Sequence, residues 1–279
     1  MTLSITGMSS LLALKLLDST ESTEKTLIRS TPSTAKAIEK FKDAASSITS
    51  AKDFVSNYDV YSFVMQAFDL KDQMFGKAMV QKILESDSSQ SGALVNQMTD
   101  PRFTELYKSL GFTDGGTANT TFSNSDWQDQ IVQRFVDQSY INDEADQNAT
   151  VGAALEFRQK APEVSSWYDI LKDADMGKFM RTVLNIPDGV VNQDLDSQVA
   201  LFEKKYDITK LQDPAEVEKL VQKYVIISDA QDSSTTLANN AAVTLMTGVV
   251  NGSSGSYVPA TLDITSIDMS AFSASRIYG

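Results

Sequence analysis

The sequence predicts an all-α protein, a multi-helix bundle built from two duplicated helical units plus a truncated third, with an irregular C-terminal tail. Three observations predict it. Apolar residues recur at i, i+3, i+4, i+7 and i+8, as in Val60, Phe63, Val64, Ala67 and Phe68, which is one face of an amphipathic helix. Only 6 prolines and 13 glycines interrupt the 279 residues. The stretch NYDVYSFVMQAFDLKD at residues 57–72 is echoed 116 positions later by DADMGKFMRTVLNIPD, which ends at Asp188.

Extended backwards without a gap, residues 37–72 lie over residues 153–188. Identical pairs include Ala37/Ala153, Phe41/Phe157, Ala45/Ala161, Ser50/Ser166, Asp53/Asp169, Asp59/Asp175, Phe63/Phe179 and Asp72/Asp188. A second echo pairs IVQRFV at 131–136 with LVQKYV at 220–225, class for class, at an offset of 89. The first unit therefore carries 27 additional residues, and GFTDGGTANTTFSNS at 111–125, rich in helix breakers, is the place for most of them. Asp100-Pro101 and Asp213-Pro214 offer a third offset, but Asp at an N-cap followed by Pro at the first helical position starts helices generally. The organisation expected is an N-terminal segment at 1–20, disordered or serving as an export signal, then helical unit 1 at 21–136 and helical unit 2 at 137–227. A partial repeat and irregular tail follow at 228–279.

The elements follow in order. Thr31-Pro32 reads as N-cap and first turn of a helix whose face is Ala37, Ile38, Phe41, Ala44, Ala45 and Ile48. Ser50 opens the next, residues 60–70 form another, and Asp72 caps one carrying Phe75, Met79 and Ile83. Helices resume after ESDSSQSG at 94–98, 101–110 and 126–140, and the second unit repeats the order through 168–186, 193–206 and 214–227. A strand-like alternation occurs only in ATLDITSID near the C-terminus. Phe63, Phe179, Trp127 and Trp167 are expected in the core, where aromatics at helical spacing fill bundle interiors.

Composition bounds the chemistry. With 24 basic against 37 acidic residues the net charge is -13, which repels phosphate backbones and anionic lipid, and no Lys/Arg cluster offsets it. No nucleic-acid partner and no membrane insertion are expected. The apolar run at 11–17 contains Lys15, lacks a preceding positive charge and has no cleavage site after it. The run at 241–250 is interrupted by Thr244, Thr247 and Gly248. Cysteine and histidine are both absent, so thiolate chemistry is excluded and any acid–base catalysis would fall to carboxylate, Lys or Tyr.

No constellation stands out beyond that. Gly115-Gly116 lacks the phosphate-loop frame. The loop at 87–92, DSSQSG, would place Met98 where a calcium loop needs Glu. Asp143, Glu144 and Asp146 read as a solvated helix end, and the pairs Glu85 with Asp87 and Asp173 with Asp175 as surface carboxylates. Asn119 and Asn148 fit a glycosylation pattern that matters only in a eukaryotic secretory setting. Accordingly no enzyme is expected, with no catalytic, cofactor-binding or metal residues, no cofactor and no assignable binding residue. Ser, Thr, Asn and Gln make up about 30% of the chain. That composition suits either a protein exported unfolded through a secretion channel or an acidic cytosolic protein.

The stretch from AIEKFKDAASS through TELYKSLGF, with Phe41, Asp59, QAFDL at 66–70 and LESD at 84–87, resembles the bacterial family known as domain of unknown function 1217. The family pattern has Ala-Phe-Gly-Leu where this chain has Asp69 in the Gly place. The resemblance implies a helical alphaproteobacterial protein associated with the flagellum, with no catalytic residues to carry over. It implies a non-enzymatic structural or accessory role through helical packing, with other flagellar or secretion-apparatus proteins as partners. The localisation implied is flagellum-associated, with export that uses no cleavable signal peptide. The alternative is a cytoplasmic adaptor or chaperone for a flagellar partner.

Overall fold

Capping chemistry cuts the chain into helices. In a computed structural model that describes residues 3–238, they run as α1 (Ser10–Ser30), α2 (Pro32–Ala45), α3 (Ala51–Ser56), α4 (Tyr58–Ala67), α5 (Lys77–Leu84), α6 (Leu94–Gln97), α7 (Pro101–Leu110), α8 (Ser125–Gln147), α9 (Ala149–Lys160), α10 (Trp167–Lys172), α11 (Ala174–Leu184), α12 (Leu195–Lys205) and α13 (Pro214–Ala238). Among the described residues the one extended pairing is an isolated bridge between Thr113 and Ala118. Among the described residues, those up to Asp229 form one compact unit. The expected partial repeat and the ATLDITSID segment lie, beyond Ala238, outside the described residues.

Side-chain oxygens accept the first free amides of most of these helices. Ser50 caps α3, Asn57 α4, Asp100 α7, Asn124 α8, Asn148 α9 and Asp173 α11. Ser166 and Asp169 cap α10 reciprocally, each accepting from the other's backbone. At α2, Pro32 takes the first position as expected, but the Thr31 hydroxyl donates to the Leu27 carbonyl at 2.9 Å instead of capping.

The core is organised by aromatic stacks. Phe41 of α2 lies on Phe63 of α4 at 4.5 Å, and Phe63 lies on Phe135 of α8 at 4.2 Å, with planes 14° and 7° apart. Phe157 of α9, Phe179 of α11 and Tyr224 of α13 repeat the arrangement at 3.7 and 4.3 Å. α4 buries Val60, Tyr61, Phe63, Val64, Met65 and Ala67 all around, as a central helix does. Trp127 and Trp167 are buried with Phe63 and Phe179, in agreement with the sequence reading.

Element bounds recur at the offsets read in the sequence. A shift of 116 lays α3 on α10 residue for residue and α4 on the first ten residues of α11. It also lays α1 within α8 and α9 within the shifted α2. Asp69 and Asn185, the two non-glycine residues with positive φ, are related by the same shift. A shift of 89 starts α8 where α13 starts.

Three expectations need correction. Residues 10–20 belong to α1, where Ala13, Leu14 and Leu17 form a buried face, so of the two readings of segment 1–20, disorder or an export signal, disorder does not hold for them. The unit boundary expected after residue 136 falls inside α8, which contains neither Gly nor Pro and runs unbroken until Asn148 caps its successor. Asp72 caps no helix: residues 71–73 form a 3-10 turn, α5 starts after Gly76, and Phe75 is 98% exposed. The Tyr61 hydroxyl donates to the Met74 carbonyl at 3.1 Å and holds that turn against α4.

Burial makes these aromatics unequal. Phe63→Ala is expected to cost about 3–5 kcal/mol, because it opens a cavity between two partner rings, while Phe75→Ala stays within about 0.5 kcal/mol. Urea unfolding of both variants measures the difference.

Candidate functional site: an ion-paired cleft

The backbone turn after α4 starts the site. Asp69 sits at φ 54°, a left-handed conformation that costs most side chains but that Asp and Asn tolerate. It lets the Leu70 amide reach back to the Met65 carbonyl at 2.7 Å and close the helix end. The turn leaves the Asp69 carbonyl and carboxylate side by side, and Arg102 Nη1 donates to both, with 2.9 Å to Oδ2. The other side of the Arg102 guanidinium, Nε and Nη2, grips Asp100, whose Oδ1 also accepts the Arg102 amide to start α7. One carboxylate thus both caps a helix and anchors a cation.

Two more cations lie in and beside the cleft. Arg134 of α8 donates from Nε to the Ala67 carbonyl at 2.9 Å and pairs with Glu105 of α7, its guanidinium 4.1 Å above the Phe68 ring. Lys160, at the end of α9, pairs with Glu156 at 2.6 Å and with Asp173, the α11 cap, at 2.8 Å. Asp69, Asp100, Arg102, Glu156, Lys160 and Asp173 line a cleft of about 280 Å³ where α7 meets α9 and α11.

The electrostatics are those of a clamp. Burial pulls Lys160 down, but Glu156 and Asp173 outweigh it and raise the ammonium above the ordinary lysine value. A lysine acting as nucleophile or base needs the opposite displacement. Burial pushes Asp100 up, yet the Arg102 hydrogen bonds hold it below the usual carboxylate range. Glu163, beside this cleft, is pushed up by burial and then by Glu105. Arg102 and Lys160 in the cleft, and Arg134 beside it, are committed to internal acceptors and tie elements together, while the exposed Lys172 also lines the cleft.

The residues singled out in the sequence are dispersed. Glu85 and Asp87 are exposed, and Asp87 is turned onto Ser89 within its own loop, at 3.0 Å from the Ser89 amide. Asp173 and Asp175 both line the cleft, Asp173 paired with Lys160 and Asp175 exposed. Asp143 and Asp146 face solvent, but Glu144 between them is fully buried. Among the described residues no three acidic side chains converge as a metal site would require. Asn119 donates to the Leu110 carbonyl at 2.6 Å and Asn148 caps α9, so both serve the local fold. Arg102, Arg134 and Lys160 were not singled out. The signals that pointed to them were the Asp-Pro-Arg sequence and a non-glycine residue at the helix-ending position 69.

A larger opening of about 780 Å³ lies at the corner between α1 and α2, lined among others by Leu27, Thr31, Lys40, Asp59, Phe63 and Asp143. Lys40 and Asp59 pair at 2.8 Å on its wall. Among the described residues no helix is long and apolar enough to cross a membrane.

Fold and cleft together define an all-α bundle protein braced by internal ion pairs. A family model described as "Protein of unknown function (DUF1217)" matches residues 67–217, more than half the chain, and the protein belongs to that family. The chain is also similar to a crystal structure of a protein from Agrobacterium tumefaciens, an alphaproteobacterium, with 28% sequence identity and a TM-score of 0.72. The similarity covers 83% of this chain and 97% of that one. No curated protein matches.

Asp69 offers a direct test of the clamp. Asp69→Ala is expected to destabilise by about 1–3 kcal/mol, combining a strained left-handed Ala with an Arg102 left short of an acceptor. Asp69→Gly loses the same carboxylate but relieves the backbone, so it is expected to be about 1 kcal/mol more stable than the Ala variant. Chemical denaturation of the two side by side measures the backbone share.

Proposed function

We propose that the protein is a non-enzymatic structural or accessory component of the flagellum, acting by packing its helices against other flagellar or secretion-apparatus proteins. The observation that carries the non-enzymatic reading is the displacement of Lys160 away from neutrality by its pairing with Glu156 and Asp173. The flagellar setting rests on the family resemblance carried by QAFDL and LESD. A chain without cysteine, with about 30% Ser, Thr, Asn and Gln, is suited to passage through a narrow channel in an unfolded state. We further infer that one helical module was copied within the chain, because caps, left-handed turns and ring stacks recur at a single shift.

A second reading, a cytoplasmic adaptor or chaperone for a flagellar partner, is favoured by one observation. The opening at the α1–α2 corner combines apolar and hydrogen-bonding side chains in a volume that suits a peptide segment.

Fractionation of flagellated cells separates the two. A component is expected with the filament–hook–basal body fraction, whereas recovery in the cytosol alone selects the adaptor. Export is tested by removing residues 1–9, since residues 10–20 belong to α1 and their loss would unfold the bundle. Retention of the truncated chain in the cytoplasm is expected, and undiminished secretion would eliminate an N-terminal export signal.

A further inference from the structure

Two buried carboxyls are linked through the N-terminal segment by a chain of hydrogen bonds. Glu24 of α1 and Glu144 of α8 are 3% and 0% exposed. Glu24 Oε1 accepts the Leu3 amide at 3.2 Å. The Leu3 carbonyl accepts from Gln147 Nε2 at 3.3 Å, and the same nitrogen donates to Glu144 Oε2 at 3.3 Å. Gln147 Oε1 accepts the amide of the fully buried Ile5 at 2.9 Å. Each carboxyl keeps one oxygen, Glu24 Oε2 and Glu144 Oε1, enclosed in the protein without a hydrogen-bond partner.

Two enclosed anions joined through one segment repel each other and lack compensation. Protonating one of them removes a charge. The surrounding charges do not supply an alternative. Lys25 of α1 is held by Glu21 and Asp137, and the terminal nitrogens of Arg158 of α9 are held by Asp18 and Glu218. Asp143 of α8 adds a further acid, the enclosed Tyr140 hydroxyl and Arg158 Nε make no hydrogen bond to either carboxyl, and residues 3–9 contain no titratable side chain.

We propose that Glu144 enters the folded protein protonated, making residues 3–9 a proton-gated clasp across α1 and α8. Burial, then the Glu24 charge, then Asp143 push Glu144 up to about 7. The folded protein therefore holds an extra proton between the ordinary value of 4.5 and about 7. Stabilisation of the clasp is complete below that window and declines as pH rises through it. Above it the ionised pair draws in water, and the segment held by Glu24 and Gln147 is the part free to lift. Gly7, at φ 79°, makes the turn at its base. α1 itself stays anchored, since Asp229 of α13 accepts the Ser10 and Leu11 amides at 3.1 and 3.3 Å. The clasp does not depend on the flagellar reading.

Hydrogen-exchange protection factors for the Leu3 and Ile5 amides, corrected for intrinsic rate, test it on the full chain between pH 5.5 and 8.5. Wild type is expected to lose at least tenfold protection with a midpoint near 7. Glu144→Gln, isosteric and neutral, is expected to stay clasped across the range. In Glu24→Gln the midpoint is expected to move down, because the repelling charge is gone. Circular dichroism checks that each variant folds. Protection in wild type that is flat with pH overturns the proposal, as does a Glu144→Gln variant that opens at the wild-type pH. A midpoint that moves with added calcium would assign the oxygens to a cation instead.

Discussion

The architecture depends on stacked rings. Phe63 is sandwiched between Phe41 and Phe135, so α2, α4 and α8 are pinned not only in distance but in rotation about their own axes. Stacking at this separation requires nearly parallel planes, and a helix turned by one residue would carry its ring about 100° away from its partners. Phe157, Phe179 and Tyr224 impose the same constraint on α9, α11 and α13. α8 is the shared member: it supplies Phe135 to the first stack and, at Asn148, turns directly into α9, which supplies Phe157 to the second.

Around these stacks the polar groups are used economically. Asp100 and Asp173 each cap a helix and each hold a cation, so the start of α7 and the start of α11 are bound to the cleft they border. Asp69 and Asn185 end equivalent helices in the left-handed conformation, where Asp and Asn are among the few side chains that do not need replacement by glycine. At position 69 the side chain brings an added return, because its carboxylate completes the grip on Arg102. That gives a physical reason for an acidic residue standing where the family pattern has Gly.

Legibility in the sequence followed the range of the forces involved. Caps and helices came through because Ser50 and Asp100 act within three residues of themselves. The aromatic core came through because burial of Phe63 and Phe179 is written in their period. Phe75 misled, since it keeps helical spacing with Met79 but lies in a turn that Tyr61 fastens from α4. The cleft was not readable. Arg102 and Asp69 are separated by 33 residues, Arg134 and the Ala67 carbonyl by 67, and no local pattern announces such pairings. Glu144 is the sharpest case: in sequence it belongs to an acidic run, and only the packing of α1 on α8 turns it inward between two exposed aspartates.

By itself the sequence determined that the chain is helical, where most helices begin and which face of several is buried. Those properties follow from periodicity and capping, which are local. Only the tertiary structure decided that α8 spans the expected boundary, that residues 10–20 are core, and which carboxylates meet cations and which meet each other. Those outcomes depend on the distance between side chains far apart in the chain, which the ring stacks set and composition does not.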